Sequence, residues 1–301
     1  MLTYDRLSRK PDLFRSFTGL TREEFDALRG VVGVKYAEFE RRRLGRKDRI
    51  RDLGGGRCFK HNLVDRLLML LVYYRLYVTY SLAGFLFDLD ESNVWRNVRI
   101  MEPVVTSVIP LPWKLYQKSR RVGTREELEE VFPEFKAFLD ATEQEIPRPK
   151  NKRRRKSHYS GKKKRHTVKT QVMVNKDGVI LHNTPYVRGR RHDYDLFKDH
   201  HPLVPPKVTV GVDLGYLGVE KDFPELNTRL PAKRRKGKPL TPREKRRNRK
   251  LAQERVVVEH SIRRIKEYKI VGDRFRNQLT RYNTIFSLTC GLVNFALLYL
   301  K

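Results

Sequence analysis

The chain has 301 residues, enough for one large domain or two, and its 66 Lys and Arg against 35 Asp and Glu give a formal net charge of +31. That excess indicates a polyanionic partner, because basic side chains that neutralise phosphates release condensed counterions, and a basic ribosomal-type protein is the alternative. The two cysteines form no CxxC or Cys/His cluster, which argues against a zinc site or a disulfide framework and indicates a reducing compartment.

Residues 1–57 are predicted to form a helical and basic region. The first residues lack the apolar core of a signal peptide. An amphipathic helix is expected over residues 21–39, because Thr21 is a good N-cap and Glu24, three residues later, completes a capping box. Residues 40–57 are rich in Arg and then in Gly, which is typical of a flexible connector.

Residues 58–112 are predicted to form a helix-turn-helix domain. A long apolar helix over residues 61–76 is followed by a short helix that Thr79 can cap. A third helix is expected to begin at Asp90 or Ser92. The order of long helix, short helix, tight turn and polar-basic helix resembles a helix-turn-helix.

The third helix of this block carries side chains that suit the base edges of a DNA major groove. They are Asn93, Trp95, Arg96, Asn97 and Arg99. We predict that Arg96 and Arg99 contact DNA, and the alternative is an ordinary helical bundle whose third helix has a solvated face. Pro103, Pro110 and Pro112 then predict a linker.

Residues 113–301 alternate as the strands and helices of an α/β domain do. Five strands are expected in a mixed sheet, over residues 135–141, 166–174, 179–187, 208–213 and 226–232. The second and third are joined by an Asn-Lys-Asp-Gly turn, and helices are expected over residues 193–199 and 242–268, the latter capped by Thr241. The apolar residues 285–300 are shorter than a bilayer needs, so we expect a buried helix there.

Two segments of this domain are strongly basic. Residues 150–165 hold ten Lys or Arg, and residues 233–250 hold eleven. Such runs are often disordered tails, but each lies beside a candidate catalytic element, so we expect loops that surround the site with positive charge. The lysines expected to follow a DNA backbone are Lys162, Lys163, Lys164 and Lys169.

Three acidic residues are candidate ligands of one divalent metal site. Asp140 and Asp213 each end a predicted strand, and Glu259 lies on the predicted long helix. Such carboxylates can converge on two divalent ions, which activate water and stabilise the leaving oxygen of a phosphodiester. Taken singly, the aspartates could cap loops, and Glu259 could pair with Arg255 or Arg263 on the helix surface.

The spaced motifs of this domain resemble those of bacterial insertion-sequence transposases of the DDE type. They are Leu-Asp140-Ala-Thr-Glu-Gln-Glu-Ile-Pro, Tyr159-Ser-Gly-Lys-Lys-Lys-Arg-His-Thr-Val-Lys, Gly189-Arg-Arg-His-Asp-Tyr-Asp, Asp213-Leu-Gly-Tyr and Arg255-x3-Glu259-x6-Lys266. The resemblance covers roughly residues 20–300, and the group it favours is the insertion-sequence-five family, which has an N-terminal helix-turn-helix. It implies an α/β fold with a ribonuclease-H-like catalytic domain, two Mg²⁺ or Mn²⁺ ions, and Asp140, Asp213 and Glu259 as the triad.

Two departures from the family pattern affect individual residues. Several relatives have a tyrosine where this chain has Ala252, so a base-stacking role at that position is in doubt. The segment after Asp140 is one residue longer than in many relatives, which makes Glu143 and Glu145 competing metal ligands.

Other side chains have supporting roles or structural ones. Arg255 and Lys266 share a helix face with Glu259 and could each bind a phosphate, or simply compensate charge. His158, His166 and His192 could carry protons, but a structural or solvated role is favoured for each.

The resemblance implies a cytoplasmic DNA transposase that binds inverted repeats of the transposon ends, cuts them to leave 3′-OH groups and joins these to target DNA. Its partner would be double-stranded DNA without a membrane, and synapsis of two ends implies a homodimer on DNA. The alternatives are a nuclease of the same fold without strand transfer and a DNA-binding derivative that has lost catalysis.

Overall fold

The computed structural model describes residues 1–45, 58–235, 237 and 239–299. These residues form two compact units. The helical unit contains the described residues of Met1–Ile109, Glu267–Ile270 and Phe295–Lys301. The sheet unit contains those of Pro110–Lys266 and Val271–Asn294.

The helical unit begins with six helices. They are α1 (Tyr4–Leu7), α2 (Pro11–Thr18), α3 (Arg22–Leu44), α4 (Leu63–Leu76), α5 (Tyr80–Phe87) and α6 (Glu91–Val108). The predicted capping box of α3 is confirmed, because the Glu24 N–H donates to Thr21 Oγ1 and the Thr21 N–H donates to Glu24 Oε2. The helix continues to Leu44, so the expected connector over 40–57 starts in helix, and its glycine triplet lies outside the described residues.

The turn between α5 and α6 is tight, as predicted. Thr79 caps α5 by accepting the Leu82 N–H at 3.1 Å. A Cβ on Gly84 would lie 2.4 Å from the Leu89 carbonyl oxygen, so a larger residue could not let the two segments approach this closely.

Helix α6 continues through Pro103, so the linker predicted from that proline is wrong. Pro103 lies on the exposed face of the helix, whereas Val98, Met101 and Val105 are buried on the other face. Burial of that apolar face stabilises the helix despite the backbone N–H that proline lacks.

The sheet unit and the C-terminal segment contain seven strands and eight helices within the described residues. In chain order they are α7 (Pro112–Ser119), α8 (Arg125–Val131), β1 (Lys136–Glu145), α9 (Lys152–His158), β2 (Tyr159–Ser160), β3 (Arg165–Asn175), β4 (Ile180–Asn183), β5 (Val187–Arg188), α10 (Asp193–His200), β6 (Thr209–Gly211), α11 (Val219–Asp222), β7 (Thr228–Arg229), α12 (Pro242–Glu267), α13 (Lys269–Gly272) and α14 (Tyr282–Tyr299).

These strands form one mixed sheet in the order β2-β3-β1-β6-β7, with β4 and β5 also paired to β3. Strand β1 is antiparallel to β3 and parallel to β6, and β6 is parallel to β7. The predicted hairpin turn is confirmed, because the Gly178 N–H donates to the Asn175 carbonyl at 3.1 Å.

The sheet has seven strands, where five were expected. The predicted third strand is split into β4 and β5 around Pro185, which has no N–H to donate to β3. Strand β2 is additional and follows α9, a helix within the basic run that was expected to be a loop.

The core of the sheet unit lies between the sheet and its helices. It includes Leu139, Met173, Val210 and Phe197. The C-terminal residues form the buried helix that was expected, α14, and its Asn294 accepts the Ile180 N–H and donates to the Ile180 carbonyl. By length and composition, Leu279–Tyr299 could cross a membrane, but 56% of its apolar window is buried in the protein, so it is weak evidence for a span.

Candidate functional site

Asp140 and Asp213 follow the last pair between two neighbouring parallel strands. Phe138 of β1 pairs in register with Gly211 of β6, and each aspartate comes two residues after its member of that pair. The charge of Asp213 acts on the Asp140 carboxyl, which agrees with their proximity. The Asp140 carboxylate accepts the Ala141 N–H at 2.8 Å, and the Asp213 carboxylate accepts the Gly215 N–H at 2.7 Å. Asp213 follows the end of β6, but the prediction that Asp140 ends its strand is wrong, because β1 stays paired with β3 as far as Glu145.

The environment of Asp140 disfavours its negative charge. Burial raises the pKa of its carboxyl to about 6, and the charges of Asp213 and Asp193 act in the same direction. The Ala141 N–H and the Arg255 guanidinium oppose that shift without cancelling it. The positive charge of Arg255 therefore compensates the half-buried Asp140 carboxylate only in part, and a bound cation would complete that compensation.

The same charges act on the buried hydroxyl of Tyr216, which contacts Gln171 Oε1 at 3.4 Å. Burial raises the pKa of Tyr216 well above its usual value, and Asp193, Asp140 and Asp213 all add to that shift, whereas Arg255 opposes it. Four charged side chains from separate elements therefore lie near enough to act on one buried hydroxyl. We call Asp140, Asp193 and Asp213 the acid cluster.

Helix α12 is held against the sheet by three contacts along its length. Glu254 forms an ion pair with Lys136 at 3.3 Å, and Lys266 Nζ donates to the Glu143 carbonyl at 3.2 Å. Between them, Ser261 Oγ donates to the carbonyl of Gly178 at 2.9 Å. Burial lowers the pKa of Lys266, and the nearby Lys163 lowers it further, while Glu143 and Asp140 oppose them.

Glu259 lies on the same face of α12 as Arg255 and Lys266, because residues four and seven positions apart share a helix face. Arg255 is half-buried beside Asp140, whereas Glu259 is exposed. Within the described part of the chain, no three His, Cys, Asp or Glu side chains are grouped to hold a metal ion. The fold pairs the two aspartates and places Glu259 on the helix beside them, without a closed set of three ligands.

The sequence prediction missed Asp193, and it assigned Lys169 to a different role. Lys169 is almost fully buried on β3, with Nζ 2.7 Å from Asp193 Oδ1 and 3.6 Å from Glu143 Oε1. Its Nζ also donates to the Arg191 carbonyl. Lys169 therefore neutralises carboxylates beside the acid cluster, and its expected place on the DNA backbone is not supported. The sequence did contain a signal for this role, because a lysine in the middle of a buried strand needs an acidic partner.

The two glutamates considered as competing ligands already have partners. Glu143 accepts the Thr167 hydroxyl at 2.8 Å in addition to its contact with Lys169, and Glu145 forms an ion pair with Arg165. Neither carboxylate belongs to the charges that act on Asp140.

The three histidines have contacts outside the acid cluster. His158 is buried, with Nδ1 2.9 Å from the Arg154 carbonyl, and the His166 ring packs edge-on against Tyr159. His192 is exposed at the N-cap of α10. These positions agree with the structural or solvated roles that were favoured.

Most of the cations that were expected to contact DNA are exposed. The exceptions are Lys169 on β3, which is buried, and Arg255 and Lys266 on α12, which are half-buried. Arg96 and Arg99 are exposed on α6, and so are the three turn lysines, Lys162, Lys163 and Lys164. Asn97 is buried instead, and its Oδ1 accepts from Arg66 Nε at 2.8 Å. That asparagine is therefore unavailable to a base edge, which corrects the expectation for α6.

Comparisons with known proteins match both units. A family model described as "DDE superfamily endonuclease" matches residues 139–294, and one described as "Helix-turn-helix of DDE superfamily endonuclease" matches residues 62–110. A protein of Microchaete diplosiphon, "Probable transposase for insertion sequence element IS702", is 31% identical over 284 residues, which is 94% of each chain. No solved structure matches this chain significantly.

Proposed function

This chain belongs to the DDE-type insertion-sequence transposases, and from that premise we propose that it binds inverted repeats at transposon ends, cuts them and joins them to target DNA. As a family member, it is a DNA-acting enzyme with an endonuclease domain and a helix-turn-helix. The observation that carries the catalytic part of the proposal is the proximity of Asp140 to Asp213, each two residues beyond the last pair between β1 and β6. Glu259, one helical turn from Arg255, completes the proposed triad.

Divalent metals are typical of this family, and the chemistry of the side chains fits them. Asp140, Asp213 and Glu259 offer the hard oxygen ligands that Mg²⁺ and Mn²⁺ prefer, and the charge of the half-buried Asp140 is only partly compensated by Arg255. When bound by these residues, two ions would supply a deprotonated water and stabilise the leaving oxygen of the phosphodiester. The fit is incomplete at Glu259, which is exposed and lies outside any three-residue ligand group.

Two cations on α12 are proposed to orient the scissile strand. Arg255 lies beside Asp140, where its forked guanidinium suits a phosphate. Lys266 Nζ donates to the Glu143 carbonyl, and the charge of Asp140 raises the pKa of Lys266 against the effect of burial. Both bring positive charge to the acid cluster, which would otherwise repel a phosphate.

Residues 58–112 are proposed to be the DNA-binding domain, between an N-terminal region of residues 1–57 and a catalytic domain of residues 113–301. Helix α6 offers Arg96 and Arg99 to the major groove. The exposed Lys162, Lys163 and Lys164 supply phosphate contacts close to the catalytic residues.

A ribonuclease-H-like fold is proposed for the catalytic domain. Its support is the order β4-β3-β1-β6-β7, with three antiparallel strands followed by two parallel ones, together with the family match. That order places β1 beside β6, and the two aspartates lie just beyond the last pair between these strands.

The proposed working form is a homodimer on DNA in the bacterial cytoplasm. Two transposon ends must be held together for joining, and each chain has one acid cluster within its described residues. Measurement of the mass of the protein bound to a short transposon end tests this assembly.

The experiment that tests the proposed function incubates the protein with a labelled transposon end, a target plasmid and Mg²⁺. Joined products support transposition, whereas nicks without joining indicate a nuclease, and binding without nicks indicates a catalytically inactive derivative. Any of the substitutions Asp140→Ala, Asp213→Ala or Glu259→Ala should lower cleavage at least about a hundredfold and leave DNA binding largely intact, because only the proposed ligand oxygens are removed.

The matched control is Glu225→Ala, which removes an exposed acid outside the acid cluster. Cleavage by this variant should equal that of the unmodified protein. Substantial cleavage by one of the three test variants would remove that residue from the proposed triad.

A further inference from the structure

A groove in the sheet unit leads away from the acid cluster and has a volume of about 1160 Å³. Glu143, Lys169 and Asp193 line one end of it, and the charge of Asp193 reaches Asp140. The lining side chains elsewhere are strongly basic and include Arg148, Lys152, Arg155, Lys156, Lys162 and Arg190. The groove therefore connects the proposed site of cleavage with a positively charged surface.

One wall of the groove is an ordered hairpin within the basic run. Tyr159 and Ser160 of β2 pair with His166 and Arg165 of β3. The Lys163 N–H donates to Ser160 Oγ at 3.2 Å and closes the turn between the strands. The lysine-rich segment thus has a defined backbone, which holds Tyr159 at a fixed place in the groove.

A second segment that lines the groove approaches β3 closely at a glycine. The Gly189 N–H donates to the Thr167 carbonyl at 2.9 Å, and a Cβ on Gly189 would lie 1.9 Å from Thr167 Oγ1. Only a residue without a side chain allows that approach. The next residue, Arg190, donates its N–H to the Ser157 carbonyl at 3.4 Å, which connects this segment to α9.

Tyr159 is an exposed aromatic ring in a cationic groove. Its side chain is 42% exposed, and its ring meets His166 edge-on, with centroids 5.6 Å apart and planes at 69°. Part of the ring therefore remains open to the groove. Burial and the positive charges of Arg148 and Arg155 lower the pKa of His166, which agrees with a positive potential at this place.

The charges lining the groove select an anionic ligand. Among the described residues, the acids that line it are Glu143 and Asp193, and both are within reach of the Lys169 ammonium group. Arg191 is paired with Asp199, and most of the lining charge is positive. A polyanion with planar, uncharged groups would satisfy both the cations and the open ring.

We propose that this groove binds unpaired nucleotides of the DNA strand that enters or leaves the acid cluster, with one base stacked on Tyr159. Arg155, Lys162 and Arg190 bind the phosphates of that strand. A duplex would offer phosphates but no open base face, so the exposed ring favours single-stranded DNA. This inference rests on the proposed DNA-cleaving function, because it assigns the strand path of that site.

The test compares single-stranded and double-stranded DNA binding by the full chain, with EDTA present so that cleavage has no part in the result. Tyr159→Ala should weaken binding of a twelve-residue oligothymidylate about tenfold, because stacking on one aromatic ring has an effect of that order. Tyr159→Trp should retain the affinity. Binding of a blunt duplex that lacks unpaired nucleotides should be unchanged in both variants.

A second measurement reports stacking directly. An oligonucleotide that contains 2-aminopurine should lose fluorescence on the unmodified protein and on Tyr159→Trp, and keep it on Tyr159→Ala. The matched control is Trp113→Ala, which removes an equally exposed aromatic ring, 51% exposed, that does not line the groove. That variant should match the unmodified protein in every measurement.

Two results would overturn the inference. One is unchanged single-strand affinity and quenching in Tyr159→Ala, and the other is an equal loss on single strand and duplex. Failure of the proposed function gives a different result. The unmodified protein would then show no cleavage with Mg²⁺, while Tyr159→Ala would still weaken single-strand binding in EDTA.

Discussion

Asp140, a proposed metal ligand, carries a negative charge that destabilises the folded protein without metal. Its carboxyl is protonated more readily than an exposed aspartate, because burial and two neighbouring aspartates raise the pKa from 3.8 to about 6. A raised pKa means that the folded protein binds this proton more tightly than the unfolded chain does. Stability therefore falls as pH rises from about 4 to about 6, and the loss remains above that range.

Asp140→Asn should stabilise the metal-free protein at pH 7.5, because the amide removes a buried negative charge and can still accept the Ala141 N–H. The shift of about two pKa units corresponds to a gain in unfolding free energy of up to about 3 kcal/mol. Urea denaturation in EDTA at pH 7.5 and at pH 3.5 measures it. The gain should vanish at pH 3.5, and an equal gain at both pH values would contradict the electrostatic explanation.

Among individual residues, the sequence pattern predicted some of those in and beside the acid cluster and missed others. Asp140 and Asp213 each follow an apolar run, so the pattern alone predicted that they lie on neighbouring strands. It did not predict that β1 continues past Asp140 to Glu145, because that extension depends on pairing with β3. Lys169 and Asp193 are distant in sequence, and their ion pair depends on how α10 packs beside β3. The pattern of residues along the chain does not specify that contact. Lys169 was therefore predicted to contact the DNA backbone.

Helix α6 has an exposed face and a buried face, and the structure shows which polar residues lie on each. Arg96 and Arg99 are exposed, whereas Asn97 is buried and bonded to Arg66 of α4. Helical periodicity indicated a polar-basic helix, but only packing against α4 identifies which polar residue is internal. The same reason explains why Pro103 did not end the helix: its buried apolar face outweighs the local signal.

Substitutions on the two faces of α6 should have opposite effects. Arg96→Ala or Arg99→Ala should weaken binding to the cognate repeat by about 1–3 kcal/mol and leave the melting temperature unchanged, if these side chains contact bases. Asn97→Ala should lower the free energy of unfolding by about 1–3 kcal/mol, because it leaves the buried Arg66 without that partner. Fluorescence anisotropy and thermal denaturation separate the two effects.

Random DNA of equal length is the control for the arginine variants. An equal loss of affinity on cognate and random DNA would identify Arg96 and Arg99 as phosphate contacts. A melting temperature unaffected by Asn97→Ala would contradict the structural role of that side chain.

For the whole molecule, the net charge of +31 predicts affinity for nucleic acid but not where it binds. Within the described residues, one group of cations lines the groove beside the acid cluster and another lies at the start of α12, whereas some others are paired with nearby acids, as Lys118 is with Glu130. Binding of duplex DNA should therefore depend on particular exposed cations more than on total charge.

The double variant Lys162→Gln/Lys163→Gln should reduce the steepness of salt-dependent duplex binding. If both side chains neutralise phosphates, the slope of log affinity against log salt should decrease in magnitude by about 1.8. Anisotropy titrations over a range of KCl concentrations measure the slope. Lys118→Gln removes one exposed charge outside the groove and should leave it unchanged, and a proportional change in this control would indicate a dependence on net charge alone.

The sequence by itself determined the family, much of the order of elements and the presence of an aspartate after each of two apolar runs, because these depend on local periodicity, capping residues and motif spacing. The capping box of α3, the cap of α5 and the turn at Gly178 were all predictable in this way. Tertiary structure alone decided the burial of Lys169 and Asn97, the split of the third strand and the groove at Tyr159. Each of these depends on contacts between residues far apart in the chain, where burial and charge compensation outweigh local preference.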